Sequence, residues 1–121
     1  MKTPIKILVI DDEPLIRRAF QKLFNDEKYL VTVEADGLSG LQAWKALSPD
    51  FVFLDVIMPG LNGWEVLEEK KSWQGTRVQV MSAFTGDLSE KRPWIEKTDG
   101  FLQKPFEDVM KIKSWVESFD Q

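Results

Sequence analysis

Residues 51–63 read FVFLDVIMPGLNG, and the fold follows from how they are read. Four apolar residues, Phe51 to Leu54, run straight into Asp55, and Pro59, Gly60, Asn62 and Gly63 follow at once. A short apolar run closed by turn residues fits a strand buried on both faces, as in a parallel sheet. An aspartate at the end of such a strand is costly to ionise, so something nearby has to offset its charge.

Outward from this stretch the pattern recurs. Ile5 to Ile10 is a near-continuous β-rich run, Arg77 to Met81 is a more mixed one, and Val31 to Ala35 alternates as a strand with one wetter face does. Gly100 to Gln103 predicts a short fifth strand. Between the strands the period becomes helical. Pro14 to Asn25 places Leu15, Ile16, Ala19, Phe20, Leu23 and Phe24 on one side and Arg17, Arg18, Gln21 and Lys22 on the other. Pro14 suits a first turn, where its missing N–H is not needed. Leu38 to Leu47, Gly63 to Trp73 and Phe106 to Phe119 predict further helices, and a weaker pattern covers Leu88 to Thr98. Strand and helix in regular alternation imply right-handed crossovers and an α/β fold, a doubly wound parallel sheet with helices on both faces. In such sheets the site lies at the carboxyl ends of the strands.

Composition narrows the chemistry. A chain of 121 residues, 43% hydrophobic and 30% charged, is expected to form one ordinary domain. It has no apolar run of the roughly 20 residues that span a membrane and no signal-peptide core, so the expected location is the cytoplasm, with no membrane partner. With no cysteine and no histidine, thiol chemistry and the usual general base are excluded, and any metal is expected to be a hard, oxygen-ligated cation such as Mg²⁺. A net charge of −4 argues against direct nucleic-acid binding.

The carboxyl-end rule then sorts the polar residues. Strand one ends at Asp11-Asp12-Glu13, strand three at Asp55, strand four at Ser82 and strand five at Lys104-Pro105. With these strands side by side, carboxylates, a hydroxyl and an ammonium share one rim. Close carboxylates raise one another's pKa unless positive charge intervenes, which a divalent cation and Lys104 would provide.

ILVIDDEPLIR, FLDVIMPGLNG, VMSAF and GFLQKPF stand in the order and approximate spacing of the receiver domain of two-component response regulators, which the whole chain resembles. The resemblance implies a flavodoxin-like (βα)5 fold, a five-stranded sheet in the order 2-1-3-4-5, with residues 1–121 as a single receiver domain and no effector domain. It implies that Asp55 is the phosphoacceptor, taking a phosphoryl group from a phosphohistidine. It further implies Mg²⁺ held by Asp12, Asp55 and the backbone carbonyl of Ile57, with Asp11 acting through a metal-bound water. Lys104 matches the lysine that pairs with the carboxylate and then with the phosphoryl group, Ser82 the hydroxyl that follows the new phosphate, and Phe101 the aromatic that switches. Lys104-Pro105 resembles the family's cis peptide. Glu13 reads either as a third acidic ligand or as a solvated residue at a helix start.

Without histidine the chain cannot supply the phosphohistidine, so the implied donor is a separate histidine kinase, a histidine phosphotransfer protein or a small acyl phosphate. Arg17 and Arg18, on the helix where the family docks its donor, are candidate contacts. The implied product is a switched surface, made by the fourth helix, fifth strand and fifth helix, for an unknown downstream protein. The rival reading is a receiver-like interaction module that never carries phosphate.

Four further expectations depart from the family pattern or refine it. Pro93 falls inside the fourth helix, which predicts a late, short or kinked one. In the last helix Phe106, Val109, Met110 and Val116 are expected to share a face, with Ile112 at its edge. Trp115 and Phe119 then lie off it, as a partner-binding patch or as a cap on the core edge. Ile57 and Phe84, at positions that flank the phosphoryl group in the family, carry nothing to orient a water, which predicts slow self-hydrolysis. Gly63 or Asn62 is expected to accept the positive φ of the turn after Asp55.

Overall fold

The computed structural model describes residues 4–119. Five strands, β1 (Ile5–Ile10), β2 (Tyr29–Glu34), β3 (Phe51–Asp55), β4 (Arg77–Ser82) and β5 (Gly100–Gln103), form one sheet in the order β2-β1-β3-β4-β5. All pairings are parallel. The helices are α1 (Pro14–Leu23), α2 (Gly37–Leu47), α3 (Gly63–Lys70), α4 (Arg92–Glu96) and α5 (Val109–Glu117). This is the flavodoxin-like doubly wound fold, with the order switching between β1 and β3.

The pleat divides the core in two. Ile5, Ile7, Val9, Phe51 and Phe53 face Phe20 and Phe24 near α1 and Ile112 and Val116 of α5. Leu8, Ile10, Val52, Leu54, Val78 and Val80 face Leu41 and Trp44 of α2 and Val66 and Leu67 of α3. Every residue of β3 is buried, as expected of a central strand covered on both faces.

The helix ends show what periodicity could not. Asp36 caps α2 by accepting from the Ser39 amide. Asn62 and Glu65 form a reciprocal capping box on α3. α3 stops at Lys70, because Lys71 turns to a φ of 67°. Trp73 therefore lies outside the helix, and its ring sits 6.1 Å from that of Trp44.

Two helices near the sheet's far edge differ in outcome. The fourth is late and short: a 3₁₀ turn at Ser89–Lys91 leads into five α-helical residues with Pro93 in the first turn. There the ring costs no hydrogen bond, whereas a helix begun at Leu88 would lose one. The fifth is out of phase with expectation. Its buried stripe is Ile112, Trp115, Val116 and Phe119, at helical spacing, while Val109 and Met110 are exposed. Phe106 precedes the helix, so including it in the period turned the face. Trp115 packs on Phe51 and Phe53, and Phe119 packs on Phe51 and Trp115. The two aromatics cap the core edge and form no free patch.

Candidate functional site

The pleat that builds the core also aims the rim. Asp11 continues the alternation of Ile5, Ile7 and Val9, Asp55 that of Phe51 and Phe53, and Lys104 that of Gly100 and Leu102. The Lys104 ammonium lies 2.7 Å from Asp11 Oδ2 and donates to Glu13 Oε1 at 2.7 Å and to Asp55 Oδ2 at 3.3 Å. One cation thus holds three carboxylates, two from the loop after β1 and one from the end of β3. The Lys104–Pro105 peptide is cis.

Asp55 is 3% exposed. Its Oδ1 accepts from the Ile57 amide at 3.2 Å and its Oδ2 from Lys104. Burial raises its pKa most, and the Asp11 charge raises it further. Lys104 and the Ile57 amide pull it down, and the balance leaves it at about 7. Burial works against the Lys104 ammonium, but Asp11, Glu13 and Asp55 outweigh it and hold the lysine above its ordinary value.

Asp11 is fully buried. Its Oδ1 accepts from the Glu13 amide at 2.9 Å, and its backbone carbonyl accepts from Arg17 Nη1 at 2.8 Å. Its Oδ2 has the ammonium near it without hydrogen-bond alignment and no other partner among the described residues. One oxygen each of Asp11, Asp12, Glu13 and Asp55 lies within 4.8 Å of the others. A cluster of hard oxygen donors, with Asp11 and Asp55 buried and Asp12 and Glu13 exposed, fits a divalent cation of the Mg²⁺ type.

The turn after Asp55 fits closely beneath this cluster. Positive φ falls on Gly60, at 73°, and not on Asn62 or Gly63. Asn62 caps α3 with an ordinary extended backbone. Gly63 is needed for another reason: a Cβ there would come within 2.4 Å of the Asp55 carbonyl oxygen and 2.6 Å of the Val56 Cα. The start of α3 is thus seated against the backbone of Asp55 itself.

The model of the response regulator receiver domain family matches residues 7–116. This chain is a response regulator receiver domain. It is 34% identical over 101 residues to the transcriptional activator protein PfeR of Pseudomonas aeruginosa, covering 84% of this chain and 33% of that protein. It is 37% identical over 106 residues to a protein-glutamate methylesterase/protein-glutamine glutaminase of Methanospirillum hungatei, covering 84% of this chain and 31% of that protein. It spans half or less of the length of such curated relatives, from 22% to 50%. Among solved structures, the N-terminal domain of a Wolinella succinogenes protein superposes with a TM-score of 0.83 at 28% identity, covering 96% of this chain and 94% of that one.

The other residues expected at the site are placed as follows. Ser82 is fully buried at the end of β4, and its Oγ accepts from the Phe84 amide at 2.9 Å, which leaves its proton free to be donated. Its carbonyl accepts from the Lys104 amide at 2.8 Å, tying β4 to β5 at the level of the lysine. Ile57 and Phe84 stand exposed beside Asp55 and Ser82, at 56% and 41%. Phe101 is half-buried, packed against the α2/α3 side of the core. Asp12 and Arg18 are exposed. Leu15, expected on the buried face of α1, is 73% exposed. One helical turn cannot present both Leu15 and Ile16 to the sheet, and Ile16 takes the core position. Arg17 emerges as a residue whose role sequence reasoning missed, bracing the backbone of Asp11, and no local sequence signal marks that contact.

No helix among the described residues is long and apolar enough to cross a membrane.

Proposed function

We propose that this receiver domain is a Mg²⁺-dependent phosphoacceptor, with Asp55 as the nucleophile. The observation that carries the reading is the buried Asp55 carboxylate held between Lys104 and the Ile57 amide, beside the carboxylates of Asp11, Asp12 and Glu13.

Asp55 attacks the phosphorus of a phosphohistidine in line. A phosphorus–oxygen bond forms, the phosphorus–nitrogen bond breaks, and the imidazole leaves with the electron pair and takes up a proton. Asp12, Asp55 and the Ile57 carbonyl would hold Mg²⁺, with Asp11 acting through water. When bound, the ion offsets the combined charge of the acidic cluster and the incoming phosphoryl oxygens. Lys104 moves its hydrogen bond from Asp55 Oδ2 to a phosphoryl oxygen. Ser82 donates its free hydroxyl proton to another, which draws in the loop after β4 because the Phe84 amide is bonded to the same Oγ. That shift, sensed by Phe101, alters the surface made by α4, β5 and α5 for a downstream protein. The site residues Asp55, Lys104 and Ser82 do all of this on their own chain, without turning over a separate substrate.

The donor is a histidine kinase or a histidine phosphotransfer protein in the cytoplasm, since this chain has no histidine. Leu15 and Arg18, exposed on α1 next to the acidic rim, form part of the surface it meets. Substituting Arg18 should slow transfer from a protein donor and leave phosphorylation by acetyl phosphate unchanged. Ile57 and Phe84 offer no group to orient water against the acyl phosphate, so the phosphorylated form is long-lived.

Incubation with acetyl phosphate and Mg²⁺, followed by intact mass, tests the reading. The wild type should gain one phosphoryl group and Asp55→Asn none. An unchanged wild-type mass with both acetyl phosphate and a cognate kinase would leave the interaction module as the function.

A further inference from the structure

The α1/α5 side of the sheet is covered unevenly. α5 packs over β3, where the Trp115 ring lies 5.5 Å from that of Phe51 and 6.1 Å from that of Phe53. Beside it, toward β4 and β5, a cleft of about 350 Å³ remains. It is walled by Phe53, Phe101, Leu102, Ile112 and Trp115, and Gln79 of β4 also lines it.

Gln79 does not belong to an ordinary core. It shares the pleat of Met81, which is fully buried in the apolar cluster, and is itself only 8% exposed. Its carboxamide makes no hydrogen bond to any described residue. It rests against Gly100, its partner in the β4–β5 register, where a Cβ would stand 2.8 Å from Gln79 Oε1. The glycine therefore leaves room that the amide fills. The amide atoms are reached by solvent through the cleft and have no partner among the described residues, so a polar edge with a donor and an acceptor is presented inside an otherwise apolar lining.

We propose that this cleft binds a small, flat, apolar molecule bearing an amide or an equivalent donor–acceptor edge, which pairs with Gln79. Size, lining and rim select that occupant over a protein. Small-molecule clefts begin at roughly 300 Å³, and this one is over twice the ~150 Å³ that holds a benzene. Aromatic walls favour a stacked ring. The mouth is bounded by the charged Glu107, Asp108 and Lys111, and the exposed Val109 and Met110 lie outside it. Charged side chains thus bound the opening, which suits a small occupant better than the ~800 Å² that each side of a stable protein interface buries.

The cleft shares Phe101 and the β5/α5 flank with the proposed output surface, but its test uses protein without a phosphate donor, so either can fail without the other. Titration with 1-naphthamide, followed by ¹H–¹⁵N correlation spectra, should shift the Gln79 carboxamide and the Trp115 indole N–H saturably. 1-Methylnaphthalene, which keeps the rings and lacks the amide, should bind about three- to tenfold more weakly. Gln79→Leu should abolish that difference while retaining the hydrocarbon's affinity, and Gln79→Met makes the same comparison should leucine prevent folding. The proposal is overturned by an absence of saturable shifts or by equal affinity of the two probes for wild type. It is equally overturned if raising the protein concentration without probe produces the same shifts, which would place a second copy in the cleft.

Discussion

At the carboxyl ends of β1 and β3, the site residues extend from strands that are paired on both sides and covered on both faces. Asp11 is fully buried and Asp55 nearly so. The flank formed by α4, β5 and α5 is built differently. β5 is a four-residue edge strand, α4 has five residues after a 3₁₀ turn, and α5 leaves a cleft beside it. The contrast separates two physical tasks. On the proposed phosphoacceptor function, a nucleophilic carboxylate beside other carboxylates needs fixed distances, which dense packing provides. On the same proposal, a surface that changes in response needs elements with few contacts, because these open at low cost.

Removing the cation at the centre of the rim would break this contrast most severely. Lys104→Met leaves Asp11 and Asp55 buried without their partner and should cost about 3–5 kcal/mol at pH 8 in metal-free urea unfolding. The loss should shrink at pH 5, where the carboxylates can take up protons. An undiminished loss at pH 5 would mean that packing of the lysine stem, and not its charge, holds the rim.

Asp55 gives the next largest effect, with the opposite sign. Its folded pKa, about 7, lies above the ordinary 3.8, so the folded protein binds the proton more tightly than the unfolded chain. Its favourable contribution is therefore fully present below about pH 4 and is lost as the pH rises through 7. Asp55→Asn should stabilise the metal-free protein at pH 8 by on the order of 3 kcal/mol and do little at pH 4. Mg²⁺ should raise the wild-type melting temperature at pH 8 more than that of the variant.

On the flank, the phase of α5 can be checked residue by residue. Ile112→Ala should cost about 2–4 kcal/mol, and Met110→Ala about 0.5 or less, as measured by denaturant unfolding. Equal costs would return the helix to the phase its sequence first implied. The smallest effect is expected at α4. Pro93→Ala should change stability by less than about 1 kcal/mol, because the proline sits in a first turn that it fits. Amide exchange should be fast across residues 92–97 and slowest in β3. Uniform strong protection through residues 88–98 would remove the distinction between rim and flank.

Much of this was legible in the chain. The runs ending in Asp11, Asp55 and Ser82 identify strands by local composition, because central strands covered on both faces are rich in apolar and β-branched residues. Pro93 marked the short fourth helix for a similar reason, since its ring and missing N–H act within one turn. The phase of α5 was misread because Phe106 is apolar without being helical, and a period cannot tell where its own first residue lies. The reach of Arg17 to the Asp11 carbonyl and the need for Gly63 against Asp55 left no local mark, because both arise where separate segments touch.

By itself, then, the sequence determined the strands, the sheet class and the identity of the charged groups at their ends. These depend on short-range preference and on the alternation of the pleat. Only the tertiary structure decided that Lys104 stands 2.7 Å from Asp11 and Glu13, that Asp11 is fully buried beside it, and that Gln79 opens into an apolar cleft. Those are distances between atoms that lie far apart along the chain, and only the packing of the strands and helices against one another fixes them.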